Sequence, residues 1–307
     1  MLLHKNVLII ITGPTAVGKT AVAIEVARQL DTVILSADSR QCFKELSIGV
    51  ARPSEAELTT VPHYFIASHS IHEAMSAAIY EAYALQLLET LFQQHPVVVV
   101  TGGTGLYIKA LLEGLDPVPA VAAGLREEIV SGYETMGIDW LQQELQKKDP
   151  LFALSGEMQN PQRMMRALEV VEATGRSILE FQSKTKQHRP FDTINIGLEL
   201  PRPLLYERIN QRVMGMMEAG LEAEASSLLP LRQLNALQTV GYQELFQYFD
   251  GALSREQAIA LIQQNTRRYA KRQLTWFKKQ PEFHWMEATA YPTILPFIKS
   301  RLAQGAK

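Results

Sequence analysis

The sequence has few of several residue types and patterns that mark particular classes of protein. Cys42 is the single cysteine in 307 residues, so no internal disulfide can form and no metal cluster can rest on thiolates. We therefore expect a reducing compartment, the cytoplasm. The seven histidines show no H-E-x-x-H spacing and no G-x-S-x-G elbow occurs, so neither a zinc-protease nor a serine-hydrolase site is indicated.

Long apolar runs and an excess of one charge are also missing. No segment approaches the roughly 18 uninterrupted apolar residues of a membrane span, and we expect no membrane association. The apolar stretch 6–11 runs straight into a glycine loop without a cleavage site, so we interpret it as a buried strand. The formal net charge is −2, which means that any RNA-binding surface has to be local.

The N-terminal part alternates apolar runs with helical patterns. Strands are predicted over 5–12, 32–38 and 96–100, and helices over 20–30 and 76–94. This order predicts an α/β fold with a P-loop NTPase-like parallel sheet flanked by helices. The functional site of such a sheet lies at the carboxyl ends of its strands. Loops 13–20, 38–41 and 101–105 should therefore meet there.

The middle of the chain has a different character, because residues 117–190 are polar and helical in pattern. A strand predicted at 193–200 returns the chain to the sheet, and the rest is largely helical, with a short strand candidate at 283–287. We therefore predict an inserted all-helical domain, 117–190. The core domain, 1–116 and 191–307, would end in a helical C-terminal part. Two domains also fit the length of the chain.

The stretch "ITGPTAVGKT" (11–20) fits G-x-x-x-x-G-K-[ST], the phosphate-binding loop. Backbone N–H groups and the start of the following helix would grip phosphate oxygens. Lys19 would add a charge, and the Thr20 hydroxyl could bind Mg²⁺. A chance match in an ordinary turn is the alternative, although the flanking strand and helix speak against it. The loop indicates a di- or triphosphate but not which one.

Two further loops carry candidate polar groups. Asp38 follows the second strand and could act as a metal-side acid or a general base, or simply cap a helix. No acid follows the strand at 97–100, where a triphosphate hydrolase normally has one; Thr101, Gly102 and Gly103 stand there instead. Thr104 could donate to a substrate, but a tight turn into a helix at 106–112 explains this stretch equally well.

Basic residues concentrate in two C-terminal segments. The stretch 266–279 holds six cations and no acid, with Ala270, Leu274 and Phe277 on one helical side. It fits a basic face turned toward phosphates, or a solvated charged face. Arg208 and Arg212 lie four apart on another helix and could clamp a leaving group, or pair with Glu207.

Seven segments, in order and across nearly the whole chain, resemble the tRNA dimethylallyltransferase (tRNA isopentenyltransferase) family. They are "GPTAVGKT" (13–20), "SADSRQ" (36–41), "IGVARP" (48–53), "GGTGLYIKALLEGL" (102–115), "NPQRMMRALEV" (160–170), "VGYQE" (240–244) and "AKRQLTWF" (270–277). The resemblance implies an enzyme that transfers a dimethylallyl group from dimethylallyl diphosphate to N6 of adenosine 37, next to the anticodon of tRNA. It further implies a monomer that needs no obligate protein partner.

The resemblance also implies roles for individual residues. Asp38 would be the base, Arg212 would contact the diphosphate, and Thr20 would hold Mg²⁺, the expected cofactor. The donor diphosphate would be bound by Gly13, Thr15, Ala16, Val17, Gly18, Lys19 and Thr20. The tRNA anticodon stem-loop would be bound by Asp38, Ser39, Arg40, Gln41, Thr104, Arg126, Gln162, Arg163, Met164, Met165, Arg166, Gly241, Tyr242, Arg267, Lys271 and Arg272.

Some positions depart from the pattern of the family. Ser47 and Val50 stand where the family often has aspartate and threonine, and Phe43 replaces a common tyrosine. Two other functions therefore stay open on the residues alone. A small-molecule kinase would need only the phosphate loop and Asp38, and a non-catalytic RNA-binding protein could have kept the fold.

Overall fold

A six-stranded parallel sheet organises the N- and C-terminal parts of the chain. The structure is a computed structural model that describes residues 5–119, 121–182 and 185–305. The strands are β1 (Asn6–Thr12), β2 (Ile34–Ser36), β3 (His63–Tyr64), β4 (Val97–Gly102), β5 (Phe191–Glu199) and β6 (His284–Glu287). Their order in the sheet is β3-β2-β4-β1-β5-β6, with every neighbouring pair parallel.

Helices cover this sheet and build the rest of the chain. They are α1 (Lys19–Gln29), α2 (Glu55–Thr60), α3 (Ala77–Leu91), α4 (Gly105–Glu113), α5 (Ala123–Lys148), α6 (Pro150–Ser155), α7 (Pro161–Thr174), α8 (Arg202–Glu218), α9 (Leu221–Leu228), α10 (Tyr242–Phe249), α11 (Arg255–Lys278) and α12 (Tyr291–Gln304). The predicted α/β class is confirmed. None of the helices in the described ranges is long and apolar enough to cross a membrane.

The central strands are buried on both faces, as their uninterrupted apolar sequences predict. Residues 8–11 of β1 and 98–100 of β4 are completely buried. Threonines tie the carboxyl ends of these strands together, because Thr12 Oγ1 donates to Gly102 O at 2.9 Å and Thr101 Oγ1 donates to Ile11 O at 3.1 Å. The ends of β1 and β4, from which two of the predicted site loops start, are therefore held side by side.

The described chain divides into two compact units. The larger one contains the sheet and runs up to Leu112 and again from His188, while the smaller one is Glu113–Gln187. In the smaller unit α5 packs on α7 around Leu141, Leu145 and Leu168. Gly137, with φ 76°, interrupts α5. The predicted all-helical insertion spans 117–190, and the observed unit is helical throughout its regular elements.

Some local features differ from the prediction. Strand β2 covers Ile34–Ser36, shorter than the predicted 32–38, so Asp38 lies beyond the strand in a turn. Strand β3 and helix α2 are not in the prediction. Helix α2 begins with a capping box in which Ser54 and Glu57 bond each other's backbone N–H groups.

Candidate active site

The phosphate loop between β1 and α1 has the backbone shape that its glycines predict. Gly13 has φ 149°, and a Cβ there would lie 2.5 Å from Leu198 O, so only glycine fits. Gly18 (φ 109°) precedes the first residue of α1 and gives it no side-chain cap. The first N–H groups of the helix are thus left for an anion. Ala16, with φ 64°, holds a strained left-handed conformation at the centre of the loop.

Lys19 is folded back over its own loop. Its ammonium donates to Pro14 O at 2.8 Å and to Gly13 O at 3.1 Å. Burial, and after it the charge of Arg212, lower the pKa of Lys19 from 10.5 to about 8, although the charge of Asp38 opposes both. The lysine is therefore still mainly protonated at neutral pH, but in surroundings that disfavour its charge until an anion arrives.

Asp38 uses one carboxylate oxygen to shape the loop after β2. Oδ1 accepts the N–H groups of Arg40 at 2.9 Å and Gln41 at 3.3 Å, which closes a turn. Oδ2 has no hydrogen-bond partner among the described residues. The alternative that Asp38 caps a helix is wrong, because no helix begins here. The carboxylate instead caps a turn. One oxygen remains available for chemistry.

The glycine-rich loop after β4 packs closely on its neighbours. A Cβ on Gly102 would lie 2.3 Å from Ala37 O, so the ends of β4 and β2 can touch only because this residue is glycine. Thr104 Oγ1 accepts the N–H of Ser39 at 3.0 Å and donates to the Ser39 hydroxyl at 3.3 Å. Thr104 therefore supports the loop that carries Asp38, and a tight turn does lead into α4.

Two arginines of α8 approach the phosphate loop from the other side. Arg212 Nη1 lies 3.3 Å from Thr15 Oγ1, and Arg208 Nη1 donates to Val17 O at 3.4 Å. Burial lowers the pKa of Arg212, and Asp38 and Glu57 oppose this. The alternative that Glu207 pairs with these arginines is wrong within the described residues.

These loops and helices enclose a cavity of about 410 Å³. The predicted donor and base residues that line it are Thr15, Ala16, Gly18, Lys19, Thr20, Asp38 and Arg212. The three sequence-predicted loops thus converge as expected. The other two predicted donor-binding residues, Gly13 and Val17, are not among the residues that line the cavity. Val17 is buried in the core.

A second, smaller cavity of about 130 Å³ shares part of this lining, including Thr15, Asp38 and Arg212. Most of its remaining wall is apolar and comes from the C-terminal helices: Ile209, Val213, Met216, Leu221, Val240 and Ile262. Asp38 therefore stands where a polar, cationic cavity meets an apolar one.

The basic helix of the prediction is the second half of α11, and it contributes to the site through its inner face. Gln273 is buried; it accepts the N–H of Thr15 at 2.8 Å and donates to Gly103 O at 2.9 Å. Tyr269 lines both cavities. Sequence reasoning missed both residues, although Gln273 stands among the apolar positions Ala270 and Phe277, where a polar residue indicates a buried partner.

The cations of α11 differ in exposure and contacts. Arg268, Lys271 and Arg272 are exposed, although Arg268 donates to Asn265 Oδ1 at 3.2 Å and Arg272 lies over the Tyr269 ring. Arg267 is half-buried, donates to Asn210 Oδ1 at 2.5 Å and lies over the Tyr206 ring. The prediction of a packed helix with an outward basic face is thus correct in structure, and Arg267 is already occupied by protein contacts.

Other predicted tRNA contacts lie in the smaller unit. Arg126 and Arg166 both donate to the buried carboxylate of Glu169, at 2.6 and 3.0 Å. Met164 and Met165 are core residues. Gln162 and Arg163 lie near the start of α7. Both methionines are buried as whole residues, backbone included, so in this conformation neither offers tRNA a surface.

Most of the "VGYQE" segment (240–244) is also at least partly buried. Tyr242 is completely buried, and its hydroxyl donates to Glu224 at 2.6 Å. Gly241 (φ 103°) begins α10 and lines the smaller cavity. Gln41 and Arg40, by contrast, each line one of the two cavities. Like the methionines, Tyr242 is buried as a whole residue and offers tRNA no surface in this conformation.

Comparison with known proteins identifies the family of the chain. The chain matches the model of the IPP transferase family over residues 41–280. It is 49% identical to the tRNA dimethylallyltransferase of Cytophaga hutchinsonii over 296 residues, which cover 96% of this chain and 97% of that protein. It is equally identical to the enzyme of the same name from Christiangramia forsetii over 298 residues, covering 97% and 99%.

A solved structure supports the fold. The chain superimposes on the tRNA isopentenylpyrophosphate transferase of Bacillus halodurans with a TM-score of 0.73 at 33% identity. The alignment covers 98% of each chain.

Proposed function

Because this chain belongs to the IPP transferase family of tRNA dimethylallyltransferases, we propose that it transfers a dimethylallyl group to N6 of adenosine 37 in tRNA. The donor is dimethylallyl diphosphate, and the products are N6-(dimethylallyl)adenosine and diphosphate. One observation carries the proposal: phosphate loop, Arg212 and Asp38 line a single cavity. The loop would thus bind a diphosphate that departs, with no nucleotide needed.

The larger cavity suits the leaving group. Lys19, Arg208 and Arg212 line it together with the uncapped start of α1. As the bond between the dimethylallyl carbon and the diphosphate oxygen breaks, negative charge grows on that oxygen. Fixed cations and N–H groups stabilise this charge more than the ground state and so lower the barrier.

Mg²⁺ fits the same cavity through Thr20. The Thr20 hydroxyl lines the cavity and has no hydrogen-bond partner among the described residues. No group of three His, Cys, Asp or Glu side chains in the described chain could hold a metal. This agrees with an ion that takes most of its ligands from phosphate oxygens and water. When bound, Mg²⁺ would neutralise part of the charge of the departing diphosphate.

Asp38 is suited to take the proton of the attacking amine. The exocyclic amine of adenine is a weak nucleophile because its lone pair is delocalised into the ring. As the N6–carbon bond forms, the nitrogen must lose a proton, and the acceptor we propose is Asp38, which lines both cavities. The adenine has to leave the anticodon stack to reach it.

The tRNA would be bound partly by the exposed cations of α11, Arg268, Lys271 and Arg272. Phosphate contacts of this kind hold an RNA without reading its sequence. Gln41 and Arg40 stand at the cavities themselves and are the better candidates for contact with the target nucleotide. We expect the enzyme to act as a monomer.

A kinase reading has less support. Strand β4 ends in threonine and glycine. Phosphate-loop hydrolases have an acidic residue at this place that binds Mg²⁺ through a water molecule, and this chain has no equivalent there. The apolar second cavity beside Asp38 would also have no use in transferring a terminal phosphate to a small acceptor.

The test uses purified protein, unmodified tRNA, Mg²⁺ and labelled dimethylallyl diphosphate, with ATP left out. We expect label on the adenosine 3′ of the anticodon. A tRNA with another base at this position is the matched control and should stay unlabelled. ATP consumption with a small acceptor, and no labelled tRNA, would overturn the proposal in favour of a kinase.

A further inference from the structure

Glu224 of α9 is bonded in a way that neither its sequence context nor the proposed chemistry explains. Its carboxylate accepts three successive backbone N–H groups, from Ser47 at 3.1 Å, Ile48 at 2.9 Å and Gly49 at 2.9 Å. The hydroxyl of Tyr242 adds a fourth bond at 2.6 Å. Oε2 thus accepts the N–H groups of Ser47 and Ile48, and Oε1 accepts the Gly49 N–H and the Tyr242 hydroxyl.

The segment held in this way is part of the active-site wall. Residues 50–53 line the larger cavity, and Gly49, Val50 and Ala51 line the smaller one. The segment lies outside any helix or strand. Ala51 adopts φ 48°, a conformation that costs energy for a residue with a Cβ. This shape is held by backbone bonds inside the turn, from Ala51 N–H to Ile48 O at 2.9 Å and from Arg52 N–H to Ser47 O at 3.0 Å, together with the bonds to Glu224.

Tyr242 packs directly on this segment. A Cβ on Gly49 would lie 2.6 Å from the Tyr242 ring, so glycine is needed for the ring to approach. Burial and the neighbouring Glu224 carboxylate raise the pKa of Tyr242. The hydroxyl therefore stays protonated and keeps its role as a donor.

The segment is in turn connected to the proposed base. Gln41 Nε2 donates to Ala51 O at 2.9 Å and to Val50 O at 3.3 Å. The backbone N–H of Gln41 donates to Asp38 Oδ1 at 3.3 Å. A continuous series of hydrogen bonds thus runs from Glu224 through the segment and Gln41 to the carboxylate of Asp38.

We propose that Glu224, supported by Tyr242, is a positioning residue that fixes segment 47–51 and thereby the placement of Gln41 and Asp38. The effect that we expect on catalysis rests on the function proposed above. Because the carboxylate binds backbone N–H groups, it does not depend on the side chains at 47 and 50. This explains how the chain accommodates Ser47 and Val50, which depart from the family pattern.

The first test is kinetic. In Glu224→Gln one carboxylate oxygen becomes an NH₂ group that cannot accept the N–H groups facing it. We expect kcat to fall about 10- to 100-fold, with KM for the donor within about twofold of wild type. Glu222→Gln is the matched control, since Glu222 lies on the same helix and pairs with Arg255 at the surface; it should leave kcat unchanged.

A double-mutant cycle separates positioning from general stability. If Glu224 acts through Asp38, Glu224→Gln should have little further effect on kcat in an Asp38→Asn background. Tyr242→Phe, which removes a single bond and keeps the carboxylate, should lower kcat severalfold by the same route. Fully additive effects of Glu224→Gln and Asp38→Asn would overturn the inference.

Amide hydrogen exchange tests the contact without any reaction. The N–H groups of residues 47–49 should exchange at least about tenfold faster in Glu224→Gln than in wild type, while those of α1 keep their rates. Unchanged exchange at 47–49 would refute the positioning role. If the wild-type protein transfers no label, and residues 47–49 still lose protection in Glu224→Gln, the proposed function alone is contradicted.

Discussion

At the residue scale, Asp38 shows how one side chain serves both structure and chemistry. Oδ1 is committed to the turn at Arg40 and Gln41, and Oδ2 has no partner within the described residues. An asparagine could keep the turn through its amide oxygen but could not accept the proton of the amine. Structure and reactivity can therefore be separated by a single substitution.

We predict that Asp38→Asn lowers kcat about 10²- to 10⁴-fold and leaves donor binding nearly intact. Single-turnover transfer with saturating tRNA and donor measures the first, and titration with a non-reactive diphosphate ester measures the second. Asp31→Asn, at an exposed position just after α1, is the matched control. Near-normal turnover in Asp38→Asn would remove Asp38 as the base.

Lys19 provides a second prediction, on pH. Its pKa of about 8 in the free protein lies below the ordinary 10.5, so above pH 8 the lysine is neutral and a diphosphate can bind it only with uptake of a proton. The Kd of a non-reactive diphosphate ester should be flat below pH 8 and rise by up to about tenfold per pH unit above it. Calorimetry in two buffers of different ionisation enthalpy measures this uptake.

Two variants check the assignment to Lys19. Lys19→Arg stays charged throughout and should lose the break near pH 8. Asp38→Asn removes the charge that raises the pKa of Lys19, so the break should move to lower pH. A break that is the same in all three proteins would belong to another group.

The site residues differ in how well the sequence predicts them. The G-x-x-x-x-G-K-[ST] spacing locates Lys19 and Thr20 because the loop is a local structure. The roles of Glu224 and Gln273 were not predictable, because their partners are distant in sequence. Gly49 is 175 residues from Glu224, and Thr15 is 258 residues from Gln273. The Ser54–Glu57 capping box was a local S-x-x-E signal that could have predicted α2.

At the element scale, α11 joins an outer charged face to the inner site. Its amphipathic pattern predicts burial of Ala270 and Phe277, which the structure confirms. The same face inserts Gln273 between the phosphate loop and the loop after β4. Which cations stay free could not be predicted, because the partner of Arg267 is Asn210 of another helix.

We predict that Lys271→Gln with Arg272→Gln weakens tRNA binding and flattens its salt dependence. Two lost phosphate contacts should reduce the slope of log K against log salt by about 1.4–1.8. Nitrocellulose filter binding over a range of KCl concentrations measures the slope. Lys299→Gln with Arg301→Gln removes two exposed charges from α12 and is the charge-matched control. Equal slopes in both variants would mean that this face of α11 is merely solvated.

At the scale of the whole molecule, the chain divides into two units, and both cavities belong to one of them. Every residue that lines the two cavities belongs to the unit with the sheet. The smaller unit has a core of its own around α5 and α7. The βα alternation and the polar helical middle made this division predictable, whereas the bounds at 113 and 187 depend on packing that local sequence does not encode.

The last prediction concerns the smaller unit and its arginines. Arg126 and Arg166 share the buried carboxylate of Glu169, and Arg126 is 51% exposed. In Arg126→Gln the carboxylate keeps Arg166, so the unit should stay folded, which its melting temperature checks. We expect tRNA affinity to fall. If one phosphate contact is lost, the slope of log K against log salt should be lower by about 0.7–0.9.

Donor binding is the decisive comparison for that variant. Since none of the described residues of the smaller unit lines either cavity, Arg126→Gln should leave the Kd of a diphosphate ester unchanged while it weakens tRNA binding. The loss should add to that of the α11 variant, because residues without shared partners contribute independently. Unchanged tRNA affinity would reduce Arg126 to a structural partner of Glu169, and a changed donor Kd would show that the two units do not act separately. With a net charge of only −2, tRNA attraction has to come from such local groups, so the two variants together should remove a large share of it.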